Sequence, residues 1–247
     1  MSIRSNREFT ALSAIGKIVG RTLREMAAAV RPGVTTAEID EVCARQLEAN
    51  GARSAAALVY KFPGAACISV NEVAIHGVPG DLIIREGDMV KLDLVAEKDG
   101  FMADAAITVL VPPVPDQARD LTQCAERAFH KAMPLARAGN RVLDIGGAVE
   151  HEVKRSGFFV MRELCGHGIG RTIHEEPSVP NFADSRACQR LTDGLVITVE
   201  PIIAASPGRG VTGKDGWSIL TAGRSLSAHF EHTIVITKGR PVLLTAA

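Results

Sequence analysis

The sequence predicts one α+β domain over residues 1–247. Two similar halves, about 1–112 and 116–247, would together form a curved antiparallel sheet covered on one face by four helices. Three observations predict it. The order helix, helix, strands occurs twice along the chain. Two long apolar runs meet at Lys98-Asp99-Gly100, which is hairpin turn chemistry and marks antiparallel pairing. Finally, 247 residues with 46% hydrophobic and 23% charged side chains suffice for one large core, and no linker long enough to separate domains interrupts them.

Each element has a local cause. Ser5-Asn6-Arg7-Glu8 has the Ser-x-x-Glu form of a capping box, and Ile15, Ile18, Val19 and Leu23 then recur at helical spacing until Arg31-Pro32-Gly33. Thr35-Thr36-Ala37-Glu38 starts a second helix, which carries Ile39, Val42 and Leu47 to a stop at Gly51. Strand-like runs follow at 57–60 and 66–70, and then the hairpin arms at 89–97 and 101–111. After Pro112-Pro113-Val114-Pro115 come helical stretches at 117–137 and 143–156, and then strands including 195–204 and 230–237. Pro207-Gly208-Arg209-Gly210 predicts a surface loop.

The halves can be laid on each other. Gly33 to Ile39 aligns with Gly139 to Ile145, and Gly87 to Asp93 with Gly194 to Glu200. Ile75-His76 matches Ile173-His174, and Asp104 to Ile107 matches Glu231 to Ile234 across an insertion in the second copy. What repeats is an acid at the end of a strand, an acid on the next strand, and a histidine before both.

Composition excludes several classes. Basic and acidic residues balance at 28 each, which argues against nucleic acid or an anionic membrane as the main partner. The longest apolar stretches, such as 195–199, fall far short of a membrane span, and the first residues lack the continuous apolar core of a secretion signal. Cys43, Cys67, Cys124, Cys165 and Cys188 are odd in number and without a Cys-x-x-Cys, against a disulfide framework or a thiolate zinc site. The expectation is a cytoplasmic protein, monomeric, with no membrane partner.

Asp93 and Asp104 stand across the hairpin. With Lys98-Asp99 as the turn they lie opposite each other; with Asp99-Gly100 they are two places off but share a face. Val90, Leu92, Leu94, Met102 and Ala103 surround them, so the strands are core-like, although acids facing solvent would also account for this pair taken alone. Glu200 closes the apolar run 194–199, and Glu231 is embedded in His229-Phe-Glu-His-Thr-Ile. Close buried carboxylates persist only when they share a proton, a cation or a metal. Four of them with a histidine form a ligand set for two metal ions that activate a water, and without cysteine the ions would be manganese, cobalt or iron, or else zinc. His167, within Gly166-His-Gly168, is the natural nitrogen ligand. His76 and His174 suit flanking roles, donating hydrogen bonds to a substrate carbonyl. His130 and His151 lie in polar helix context, and His229 shares strand parity with Glu231 as a candidate supporting group.

Five segments together resemble the type I methionine aminopeptidases over essentially the full chain. They are Cys67 to Gly80, Asp93 with Asp104, Gly166-His-Gly-Ile-Gly-Arg with His174-Glu-Glu-Pro, Thr198-Val-Glu-Pro, and Phe230-Glu-His-Thr-Ile. The resemblance implies the pita-bread fold and a metallo-exopeptidase that removes the first methionine of peptides and nascent chains when the second residue is small. It implies metal ligands at Asp93, Asp104, His167, Glu200 and Glu231, with Asp104 and Glu231 bridging two ions and a bridging hydroxide attacking the first peptide bond. His76 and His174 would position the peptide, and Glu200 would also shuttle a proton. The methionine side chain would enter a pocket built from Phe62, Cys67 and Trp217. A monovalent cation would sit near Asn71, Val73 and Ser227, and the ribosome is an implied partner.

The chain departs from the family pattern in places. Met102-Ala103 stand where His-Gly is common, Ala105 where a hydroxyl residue is usual, Ile173 where an aromatic is frequent, and His229 in place of a glutamine. None removes a ligand. Rival readings are a prolidase or Xaa-Pro aminopeptidase, whose relatives carry an added N-terminal domain before the position of His76, and a pita-bread binding module, a kind in which several proteins have lost their metal ligands, whereas all five remain here.

Overall fold

The computed structural model describes residues 1–246. Helix α1 (Asn6–Ala29) starts at the predicted cap, where the Ser5 hydroxyl accepts from the Glu8 N–H at 3.2 Å. Its buried stripe is Leu12, Ile15, Val19, Leu23 and Met26. Helix α2 (Thr36–Ala49) carries a complete capping box of Thr35 and Glu38 and buries Ile39, Cys43 and Leu47. Two residues of strand β1 (Arg53–Ser54) lead into a short helix α3 (Ala55–Tyr60), where the sequence predicts a strand at 57–60. The Ser54 hydroxyl caps α3 through the Ala57 N–H, and three consecutive alanines favour the helix over the β-preference of Val59 and Tyr60.

Strands β2 (Cys67–Val70) and β3 (Val73–Ile75) precede the long hairpin of β4 (Met89–Lys98) and β5 (Phe101–Leu110). Lys98 pairs with Phe101, so the turn is Asp99-Gly100, both at positive φ as a two-residue hairpin requires. Asp93 therefore pairs with Ala106 and Val95 with Asp104, which leaves the two acids two places apart on one face. On the other face Val90, Leu92, Leu94, Ala103 and Ala105 pack into one core with α1 and α2.

Helices α4 (Asp116–Ala132) and α5 (Val142–Arg155) cover the second core. The stretch predicted to 137 ends its α-helix sooner, in a 3-10 turn at Met133–Leu135, because Pro134 has no N–H to continue the ladder. Then follow β6 (Phe159–Val160), β7 (Cys165–Gly168), β8 (Glu175–Pro180), β9 (Val196–Val199), β10 (Ile202–Ala204), β11 (Gly210–Thr212), β12 (Ile219–Thr221), β13 (Ser227–His229), β14 (Glu231–Val235) and β15 (Val242–Leu243).

These strands form one nine-stranded sheet and two three-stranded sheets. The large sheet runs β1-β4-β5-β14-β9-β7-β8, with β2 also on β4 and β15 also on β14. The smaller sheets are β13-β10-β6 and β11-β12-β3. The single strand predicted over 195–204 is thus two strands in different sheets. Pro201, which cannot donate to a ladder, separates them, and Glu200 sits at the break. Phe230 likewise separates β13 from β14, and the strand predicted over 230–237 begins at Glu231. Candidate ligands thus collect where the chain passes from the large sheet to a small one.

Candidate metal centre and active site

A cavity of about 540 Å³ opens where the sheets meet, and Asp93, Asp104, His167, Glu200 and Glu231 all line it, with His76, His174 and His229 beside them. The two halves of the chain meet at the β5–β14 pairing, Glu231 opposite Ala106, which brings acids from both together. His167 Nε2 lies 3.6 Å from Glu200 Oε1, and its Nδ1 is 2.9 Å from the Gly168 carbonyl. With Nδ1 protonated and donating to that carbonyl, the Nε2 lone pair faces the acids. Gly166 and Gly168 explain the spacing of that loop. A side chain at Gly166 would put its Cβ 2.6 Å from the Thr198 carbonyl, and one at Gly168 would strike the Glu176 carbonyl. A register shift between His167 and Gly168 then turns the imidazole toward the cavity.

Among the described residues, no lysine or arginine pairs with these acids. Burial pushes the Asp93 carboxyl up to about 7. Burial raises Glu200 to about 8 against a hydrogen bond from Thr198. Asp104 and Glu231 are held well above the carboxylate range, by burial first and then by the neighbouring acids. Burial lowers His167 to about 4, helped by His174. Among the described residues, the buried side-chain atoms without a hydrogen-bond partner are Asp104 Oδ1, Glu231 Oε1, both ring nitrogens of His229, and Ser225 Oγ. Four of these five belong to the cavity wall, and buried polar atoms normally find partners. A divalent cation fits this donor set. Ligand atoms of Asp104, His167 and Glu231 lie within 4.8 Å of one another, and so do those of Glu200, His229 and Glu231.

Beside the acids lies a smaller apolar pocket of about 110 Å³, lined by Tyr60, Phe62, Cys67, Ile173 and Trp217 and open to His76 and Asp93. Phe62 meets Trp217 edge to face at 5.3 Å. The loop bearing Trp217 reaches the first half because β12 pairs with β3, Ile219 opposite Ile75. Ile173, one of the departures from pattern, is thus a wall of this pocket, whereas Ala103 and Ala105 pack toward α1, and Met102, on the Asp104 face of β5, is buried in the same apolar cluster as Ile173. His130 and His151 are exposed, away from the cavity.

Residues 10–238 match the model of metallopeptidase family M24. The chain belongs to that family. Methionine aminopeptidase 2 of Bacillus subtilis is 40% identical to it over 247 residues, covering 99% of both chains. A crystal structure of a methionine aminopeptidase from Thermotoga maritima superposes with a TM-score of 0.96 at 31% identity, covering 100% of both chains. A prolidase from Pyrococcus furiosus shares the fold, with a TM-score of 0.80 at 21% identity, and this chain covers 65% of it. The fold is accordingly the pita-bread fold of the M24 peptidases, and membership makes the chain a metallopeptidase, a hydrolase with a divalent-metal requirement.

Around the candidate site, several supporting residues are not singled out for a role by the sequence. The Thr198 hydroxyl donates to Glu200 Oε1 at 2.8 Å and accepts from the His167 N–H at 3.0 Å. The Thr233 hydroxyl donates to the Asp104 carbonyl at 2.7 Å and accepts from its N–H at 2.9 Å. Asn181 donates to the Glu200 carbonyl at 2.9 Å. Tyr60 places its hydroxyl 2.6 Å from His174 Nδ1. Thr198 and Thr233 each lie two residues from a candidate acid, within segments that carry the resemblance, whereas Asn181 and Tyr60 have no such signal. Asn71, Val73 and Ser227 do converge, with the Ser227 hydroxyl 2.9 Å from the Asn71 carbonyl and 3.4 Å from that of Val73. The buried Lys91 amine also donates to the Asn71 carbonyl, at 2.6 Å, so a titratable group of the chain itself stands at this cluster. Burial lowers Lys91 to about 7, against the attraction of Glu72 and Asp88.

Proposed function

We propose that the protein is a methionine aminopeptidase, removing the N-terminal methionine of peptides and nascent chains whose second residue is small. One observation carries the reading: a narrow apolar pocket of one side chain's width opens directly beside the unpaired acid cluster, with His76 and His174 between them. A methionine side chain seated against Phe62, Cys67, Ile173 and Trp217 lays the first peptide bond over the acids. Asp93, Asp104, His167, Glu200 and Glu231 would hold two divalent ions, manganese, cobalt, iron or zinc. Such ions supply Lewis acidity and lower the pKa of water.

The chain's own groups do the rest. The Tyr60 hydroxyl, donating to His174 Nδ1, leaves the proton on Nε2, which then donates to the substrate carbonyl as charge develops there. His76, at φ +57 in a turn whose next residue, Gly77, leaves no room for a side chain against Ile68, lines the cavity and would donate to the same carbonyl. Glu200, oriented by Thr198, carries a proton from water to the leaving amine nitrogen.

The test is metal-stripped protein resupplied with each ion in turn and given Met-Gly, Met-Leu and Ala-Pro-led peptides. Methionine release from the Met-Gly peptide only, and only with metal, is the expected result. Cleavage of the Ala-Pro peptide would make the chain a prolidase-type enzyme, and tight metal binding with no cleavage of any peptide would make it a binding module.

A further inference from the structure

We propose that His229 is a second nitrogen ligand of the metal centre, binding a divalent cation together with Glu200 and Glu231. The inference rests on the metal-centre reading above and adds a ligand to it. His229 is 2% exposed, and neither of its ring nitrogens has a hydrogen-bond partner. An unsatisfied buried polar group costs about 1–3 kcal/mol. Elsewhere this chain avoids that cost: His167 reaches the Gly168 carbonyl, His174 meets Tyr60, and His232 meets the Thr245 hydroxyl. His229 instead faces acids, with Nε2 3.5 Å from Glu231 Oε2, in the wall of the cavity.

The ring is presented from a rigid position. The Thr108 hydroxyl donates to the His229 carbonyl at 2.8 Å and accepts from its N–H at 3.0 Å, and His229 pairs with Ile202 of β10. His229 and Glu231 flank the sheet switch at Phe230, so both turn into the cavity. The atoms offered by Glu200, His229 and Glu231 lie within 4.8 Å of one another. Ligands of a single ion lie up to about 4.2 Å apart, so a small side-chain shift closes the set. This triad and that of Asp104, His167 and Glu231 share Glu231, and each holds one imidazole. A second imidazole favours cobalt, iron and zinc over manganese.

The test loads the full-length metal-free protein with one and then two equivalents of Co²⁺. It counts the hyperfine-shifted, solvent-exchangeable ring N–H resonances in the proton spectrum, one per bound histidine, with calorimetry giving each binding step. Wild type is expected to show two such resonances, and His229→Gln and His167→Gln one each. His229→Gln should weaken one binding step by about tenfold or more for Co²⁺, and by less for Mn²⁺. A single resonance in doubly loaded wild type overturns the proposal without recourse to any variant. So does an H229Q affinity within about twofold of wild type for both ions. Failure of the metal-centre reading itself looks different: wild type would bind no Co²⁺, or Asp104→Asn and His167→Gln would bind it unchanged.

Discussion

Glu152 on helix α5 and Glu231 at the head of β14 are equally buried, each 2% exposed, and the protein treats them in opposite ways. Glu152 is met by Arg155 at 2.8 Å and Arg127 at 3.0 Å. Burial pushes its carboxyl up, but those hydrogen bonds outweigh burial and leave it below the ordinary value. Among the described residues, Glu231 meets no arginine or lysine, one of its oxygens has no hydrogen-bond partner, and the charged groups that act on it are other acids. Burial alone therefore does not mark a functional acid. What separates them is the missing counter-charge: the helix acid is a finished structural bond, the strand acid an unfinished one, open to the cation proposed above.

The sharpest way to break that contrast is to neutralise both. Glu231→Gln should cut peptidase activity on the order of 10³-fold or more with loss of metal affinity. It should leave the metal-free protein as stable as wild type or more so, since glutamine removes the cost of keeping this buried acid protonated where the unfolded chain ionises it. Chemical denaturation without metal, beside a methionine-release assay, checks both halves; a destabilised metal-free variant would mean that Glu231 is a structural acid after all. Glu152→Gln should do the reverse, costing about 2 kcal/mol of stability while activity at saturating metal stays near wild type.

Titration sharpens the same point. Acids whose folded pKa is raised hold protons that the unfolded chain has lost, so stability falls as pH rises between the unfolded and folded values. Glu200, Asp104 and Glu231 therefore destabilise the metal-free protein between pH 6.5 and 8. Lowered histidines act in the opposite sense only below their unfolded value near 6.5, and so stay outside this window. Lys91 opposes above about pH 7, as one group against three. The metal-free stability should fall across this window by ~1.4 kcal/mol per pH unit for each net proton, seen as a falling melting temperature, and saturating metal should flatten the fall. A metal-free curve that rises there would contradict unpaired burial of the acids.

The smallest effect concerns two histidines divided by the same contrast. His174 has Tyr60 as its partner and His229 has none. Tyr60→Phe leaves His174 free to exchange tautomers, so kcat should drop several-fold, on the order of tenfold at most, with KM nearly unchanged. An unchanged kcat would remove Tyr60 from the positioning of His174.

Local chemistry carried much of the fold into the sequence. The caps at Ser5 and Thr35 start helices, Asp99-Gly100 turns the hairpin, and the two-residue strand period puts Asp93 and Asp104 on one face wherever that turn falls. At 57–60 local preference misleads, because the cap at Ser54 lies outside the apolar run and decides for helix. The run 195–204 reads as one strand, since its apolar character continues through Pro201 while its pairing partners change.

By itself, then, the sequence determined the elements whose causes lie within a few residues, and it named the acids and histidines able to do chemistry. Tertiary structure alone decided which of them stay unpaired. Glu152 gains Arg127 from α4, Asp104 its clamp from Thr233, and His174 its tyrosine from a helix 114 residues away in the chain. A buried charge acquires its meaning from the partner that packing brings or withholds, and contacts so distant along the chain leave no periodicity or spacing to read.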